Sequence, residues 1–303
     1  MTVPATPVPA PARALPDRRF GYLVTILGVM WLSPDALLQR LIDGDALAIV
    51  AWRGALSMVM LALFLRWRDG GAVVARMRAG GWRLMLLAIL YAMNSTSFVM
   101  AIDLSSVADV LVILAATPLC AAVLAWFVLR EVPDRRTSLA IAIGAVGVLI
   151  AAVGGMTGSS PAGMALAVFT TLNLAAQFTL LRRWPQVDNV AAVFIGSFFM
   201  AVLGFTVAEP LAMEGASLFW AFMLGLFLTP IAFTLITVGP RHIGAAEVSL
   251  LMLLETAFGP LWVWLVLGEA PATTALVGGA IIVVAIVVSA CGPRPGSAFG
   301  RTT

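Results

Sequence analysis

Residues 107–133 read VADVLVILAATPLCAAVLAWFVLREVP, and residues 245–271 read AAEVSLLMLLETAFGPLWVWLVLGEAP. An offset of 138 pairs Ala108 with Ala246, Val110 with Val248, Trp126 with Trp264, Leu129 with Leu267, Glu131 with Glu269 and Pro133 with Pro271. Apolar helices share Leu and Val by chance, but shared Trp, Glu and Pro at one offset point to an internal repeat. Each half then holds five long apolar runs. Because five is odd, the second half enters a membrane from the opposite face, and a pseudo-two-fold axis in the membrane plane relates the two. Inverted repeats of this kind build alternating-access transporters, with substrate held near the midplane where the halves meet.

Composition agrees with a membrane. Of 303 residues, 61% are apolar and 11% charged, and the mean hydropathy is +1.03. Soluble domains carry about a quarter charged residues. Runs of about 20 apolar residues, enough to cross a bilayer, cover residues 20–41, 46–65, 82–102, 107–129, 137–153, 163–181, 190–208, 217–237, 245–267 and 272–290. The expected fold is an all-α integral membrane protein with ten transmembrane helices as two inverted five-helix repeats. Its expected layout is a disordered tail at 1–19, repeat 1 over 20–155, a linker at 156–162, repeat 2 over 163–291 and a second tail at 292–303.

All 18 basic residues are arginine, there is one histidine, His242, and the cysteines are Cys120 and Cys291. Without lysine no Schiff-base chemistry is available. A lone His builds no multi-histidine metal site, and two distant cysteines give no disulfide framework. No cofactor and no metal are expected. A pI near 9.5 is common among nucleic-acid binders, but the arginines lie scattered between apolar runs, so no nucleic-acid partner is expected. With ten spans, sixteen arginines fall on one side, Arg40 falls alone in a loop on the other, and Arg53 lies inside a span. Positive loops stay in the cytoplasm, which predicts cytoplasmic termini. The expected surroundings are a lipid bilayer and a small-molecule substrate, and the expected state is a monomer.

Polar groups inside a bilayer are costly and mark function or structure. Asp35 and Arg53 sit at one depth on adjacent spans, roughly 10 Å below the outer surface at 1.5 Å per residue, and are expected to pair. The pair reads either as a structural tie or as a gate or coupling site. Glu255, near mid-membrane in the ninth span, reads as a proton carrier or as a hydrogen-bonding prop for a broken helix. Asn94, Thr117, Asn173 and Thr229 reach the same depth, with Trp31 and Tyr91 as the nearby aromatics. They form the candidate substrate-contacting set, against the alternative of interhelical hydrogen bonding. Pro34, Pro118, Pro230 and Pro260 interrupt spans and are candidate hinges or static bends. Intramembrane protease chemistry needs a Ser–His pair or two aspartates at depth. Only Asp35 is a buried Asp and His242 falls in a loop, so no catalytic residue is assigned. No GxxxxGK[ST] motif is present, so ATP is not the direct energy source.

These residues resemble the EamA-type branch of the drug/metabolite transporter superfamily: two five-helix halves, each with a long span ending in an L-x-E or L-G-E turn. Pro118 and Glu131 match a Pro thirteen residues before the Glu, and Leu254-Glu255-Thr256 matches an L-E-P signature with its Pro lost. Pro260 is the expected substitute kink. Gly268 keeps the Gly before the Glu, which Arg130 replaces in the first half, and Arg53 stands where second spans of the family often carry Arg. The resemblance covers about residues 20–291. It implies a secondary carrier, expected to be an amino-acid exporter of a bacterial inner membrane, with aromatic amino acids as the narrowest expectation. The alternative it leaves open is a proton-coupled drug or metabolite efflux carrier.

Overall fold

The computed structural model describes residues 17–105, 107–131, 133–152, 160–268 and 273–290. Residues 1–16 of the expected first tail, all of the expected second tail at 292–303, most of the linker, and Glu269 and Pro271 of the repeat lie outside the described residues, while residues 18 and 19 of the first tail belong to α1. The described residues fold into helices and connecting turns with no strand. The helices are α1 (Arg18–Leu32), α2 (Asp35–Arg40), α3 (Ala46–Asp69), α4 (Val73–Leu104), α5 (Val107–Leu114), α6 (Thr117–Leu129) and α7 (Arg135–Ala152). They continue with α8 (Pro161–Arg183), α9 (Asn189–Val207), α10 (Gly215–Phe222), α11 (Thr229–Ile236), α12 (Ala245–Leu267) and α13 (Thr273–Ala290).

Seven helical segments among the described residues are long and apolar enough to cross a membrane, one of them the 59-residue run Ala46–Leu104. That run is not straight. Gly70 (φ 57°) ends α3, and Gly81 (φ 54°, ψ −145°) breaks α4 just before Trp82. Gly70 still donates its N–H to the Arg66 carbonyl, but its positive φ turns the chain so that the residues after it leave the helical path, and glycine adopts that conformation at little cost. The surface has the inverse of a soluble protein's character. Leu23, Leu63, Phe127, Leu149, Val207 and Leu265 are exposed, whereas Asp35, Arg53, Asn94, Asn173, Gln177 and Glu255 are buried. Such an exterior suits hydrocarbon, and the chain is a multi-pass membrane protein.

One helix end follows the repeat: α6 ends at Leu129 and α12 ends at Leu267, 138 residues on. The turns after α6 and α12 match as well. The Arg130 N–H donates to the Trp126 carbonyl at 3.1 Å and the Gly268 N–H to the Trp264 carbonyl at 3.0 Å. Arg130 (φ 58°) and Gly268 (φ 72°) are both left-handed. The halves pack mainly on each other: α3 lies along α9, α7 along α13, α4 against α8 and α9, and α1 against α11. Small residues allow this. A Cβ on Gly54 would stand 2.5 Å from the Ala201 nitrogen on α9, and one on Gly147 would stand 2.8 Å from the Gly278 carbonyl on α13.

Three expected proline positions coincide with helix breaks. Pro34 separates α1 from α2, Pro118 opens α6 after α5 ends, and Pro230 opens α11 after the π-helical turn Met223–Leu228. Carbonyls freed near these breaks accept hydroxyls instead. Ser33 donates to Met30 at 2.8 Å, Thr117 donates to Leu114, and Ser57 on α3 donates to Gly225 at 2.7 Å. The kink expected at Pro260 is not seen as a break, because α12 runs as one helix through that position.

Arg130 is the one non-glycine with positive φ among the described residues. A left-handed L-residue costs roughly 1–2 kcal/mol, partly offset in a glycine replacement by its freer unfolded chain. Arg130→Gly should therefore raise the thermal unfolding midpoint of the detergent-solubilised protein, by roughly 1 kcal/mol of stability. Gly54→Val should lower it by about 1–3 kcal/mol through overpacking against α9.

Candidate functional site

The break at Ser33–Pro34 makes Asp35 the first residue of α2 and turns its carboxylate inward, where it is 1% exposed. Arg53, on α3, is 2% exposed. Arg53 Nη1 donates to Asp35 Oδ2 at 3.2 Å, and Gln39 Nε2, one turn after Asp35, donates to the same oxygen at 2.9 Å. The expected pairing of Asp35 with Arg53 is present. Both residues line a cavity of about 30 Å³ together with Glu255 from α12. Asn94 and Ser95 from α4 and Thr170 from α8 complete its polar side, and Phe98, Leu174, Phe233 and Met252 form much of its apolar wall.

The cavity therefore holds one cation and two carboxyl groups. Asp35 uses Arg53 and Gln39, whereas Glu255 makes no ion pair among the described residues. Five buried atoms of the lining residues have no hydrogen-bond partner in the protein: Asp35 Oδ1, Arg53 Nε, Asn94 Oδ1, Ser95 Oγ and Glu255 Oε1. Buried polar atoms are ordinarily bonded, so a cluster of unsatisfied ones needs an explanation such as a bound molecule or ordered water. The remaining lining is apolar. One charged group of each sign beside an apolar wall matches a small molecule that carries both charge and hydrocarbon.

Comparison with known proteins places this site in context. Residues 19–153 match the EamA-like transporter family. A solved structure described as "Crystal structure of protein" matches with a TM-score of 0.76, at 16% identity, over 90% of this chain and 98% of its own. At that identity the likeness speaks for the fold alone. No curated protein matches the chain. The EamA-like match supports a membrane transporter of small molecules, and the family is one of transporters rather than enzymes. It spans the half of the chain that supplies Asp35, Arg53, Asn94 and Ser95 to the cavity. Thr170, Phe233, Met252 and Glu255 come from the other half, so the cavity lies between the matched residues and the rest of the chain.

The structure brings together four of the nine expected contact and coupling residues: Asp35, Arg53, Asn94 and Glu255. Tyr91 stands one layer behind, fully buried, its ring edge-on to Phe233 at 5.1 Å. Thr117 is buried and spends its hydroxyl on the Leu114 carbonyl. Asn173 and Thr229 are buried but outside the lining, with side-chain atoms that find no protein partner. Trp31 lies apart. It is 48% exposed, and its indole N–H points to the Phe227 carbonyl at 3.4 Å.

Gln39, Ser95 and Thr170 were not expected in the site. Periodicity could have found two of them. Gln39 lies four residues after Asp35, and Thr170, Asn173 and Gln177 recur at helical spacing on one buried face of α8. Ser95 lies beside Asn94 in the polar run NSTS.

Breaking one partner of a buried ion pair leaves an uncompensated charge and costs about 3–5 kcal/mol, while replacing both by apolar groups is often near neutral. Arg53→Met alone should therefore lower stability strongly, and Arg53→Met with Asp35→Leu should recover most of the loss. Unfolding of Arg53→Met, Asp35→Leu and the double variant in detergent measures the coupling. A double variant no more stable than the weaker single would show that the pair is not held this way.

Proposed function

We propose that the chain is a secondary transporter that exports neutral amino acids, aromatic ones included, by alternating access across a bacterial inner membrane. Breaking Ala46–Leu104 at Gly70 and Gly81 into two crossings, and adding α7 and α13, each about 27 Å long at 1.5 Å per residue, turns the seven long segments into ten spans. Ten spans with an offset-138 repeat form two inverted five-helix halves, residues 20–155 and 163–291. Sixteen arginines then share one face, which supports cytoplasmic termini.

The observation that carries the substrate reading is the cavity's charge balance. Arg53 presents a donor for a carboxylate, the unpaired Glu255 carboxyl presents an acceptor for an ammonium, and Phe98, Phe233 and Met252 offer an apolar wall. An α-amino acid carries this combination on one carbon. The cavity has room for a water or two, so admitting a substrate requires the halves to separate, as alternating access demands. On the arginine-rich side the path is tied shut. Glu247 accepts from Arg18 and, at 2.7 Å, from the Tyr22 hydroxyl, which also lies 3.2 Å from Ser289 Oγ.

A second reading rests on Glu255 as well. A carboxyl without a cation of its own is a place for a proton, and proton binding there in exchange for substrate would make the chain a proton-coupled efflux carrier. Proteoliposomes containing the purified protein separate the two. Labelled phenylalanine or leucine should exchange with saturation and without a pH gradient, and Glu255→Gln should reduce exchange at least tenfold. Absence of amino-acid exchange, with flux of a cationic drug that requires a pH gradient and Glu255, would overturn the amino-acid reading in favour of the second.

A further inference from the structure

Away from the central cavity, on the arginine-rich side, a pocket of about 630 Å³ is walled by Arg68, Arg76, Arg83 and Arg241, with Asp188 and the loop before it. The four arginines come from separate places in the chain: the end of α3, the two arms of α4 around Gly81, and the turn before α12. Two of them are neutralised. Arg68 bridges Asp188 and Asp69, and Arg76 Nη1 lies 2.6 Å from Asp69 Oδ1. The other two are not. Arg83 makes no ion pair among the described residues, and its guanidinium carbon stands 5.8 and 5.6 Å from the ring centres of Trp82 and Trp184. Arg241 spends Nη2 on the Val187 carbonyl at 2.7 Å, while its buried Nε finds no protein partner.

Two uncompensated guanidiniums in one recess, one with a buried N–H still unbonded, make a site for a doubly accepting anion. Guanidinium matches phosphate oxygens in bidentate fashion. The exposed Trp82 beside it is the side chain that settles at headgroup depth in a bilayer. We propose that this pocket binds a phosphate group, carried by an anionic phospholipid of the adjoining leaflet or by soluble phosphate, independently of the transported substrate.

Native mass spectrometry of the full chain in nonionic detergent tests this with phosphatidylglycerol, phosphatidylcholine and inorganic phosphate as probes. The wild type should retain phosphatidylglycerol about tenfold more strongly than phosphatidylcholine. Arg83→Gln, an exposed position that leaves the fold intact, and Arg241→Gln should each remove most of that preference. Arg78→Gln deletes the same charge outside the pocket and should leave it within about twofold. Displacement of phosphatidylglycerol by millimolar inorganic phosphate, lost in Arg83→Gln, would identify the soluble ion as the source. No displacement, with retention still dependent on Arg83, would identify the lipid. Equal weakening by Arg78→Gln and Arg83→Gln, or no preference for phosphatidylglycerol in the wild type, would overturn the site and leave only general surface attraction.

Discussion

An arginine buried among apolar helices must meet a carboxylate, because an isolated charge in a low-dielectric interior is far costlier than a paired one. The Arg53–Asp35 pair meets that requirement, and much of the surrounding architecture serves it. Asp35 reaches Arg53 only because the first span breaks at Ser33–Pro34 and restarts with Asp35 in its first turn, where the N-terminal end of α2 also favours a negative charge. Helix α3 is held closely on two sides at this level. Gly54 admits α9, and a Cβ on Gly225 would stand 3.1 Å from the Arg53 Cα, so the π-helical turn also lies against its backbone. The pair is thus fixed by helices from both halves of the chain.

The fold was largely legible because the chain repeats itself. An offset found from a Trp, a Glu and a Pro later matched the ends of α6 and α12 and the two left-handed turns that follow them. The reason is physical: the same turn chemistry closes both helices, although α6 is the shorter for the break before it. Arg130 is the informative departure, since it takes a conformation that Gly268 adopts cheaply, and the first half keeps the turn despite the wrong residue. Less legible was the course of the fourth and ninth spans. Sequence showed Pro118 and Pro260 alike as interruptions, yet α5 and α6 separate near the first and α12 runs on through the second. A proline removes one hydrogen bond, and whether the helix breaks depends on what packs around the freed carbonyl.

The site was legible in its charges and opaque in its contacts. Depth brought Asp35 and Arg53 together, because ionised groups in a membrane are few and have to find one another, while Glu255, read as nearer mid-membrane, joins them only in the folded cavity. Depth did not select among Asn94, Thr117, Asn173 and Thr229: Thr117 bonds its own backbone, and Asn173 and Thr229 are buried outside the cavity lining. Which face of a helix turns inward decided the outcome, and Trp31 shows the consequence: at the right depth, on the outer face.

The breaks also bear on motion. A helix that opens in the membrane exposes a carbonyl that hydrocarbon cannot satisfy, so a working hinge needs a polar substitute at hand. Each of the three discontinuities has one: Ser33 for Met30, Thr117 for Leu114, and Ser57 for Gly225. Two of these bonds are local and travel with their own helix. The third crosses between halves, from α3 to the π-helical turn, one turn along from Arg53. Bending at Pro34 or Pro118 therefore leaves the hydrogen-bond count unchanged, whereas separating α3 from the α10–α11 segment breaks the Ser57–Gly225 bond and strips the packing from Arg53 together. The low-cost joints lie within the spans and the costly contact lies between the halves. Pulling the halves apart therefore costs the Ser57–Gly225 bond and the packing on Arg53, while the Arg53–Asp35 pair, with both partners in the first half, stays whole.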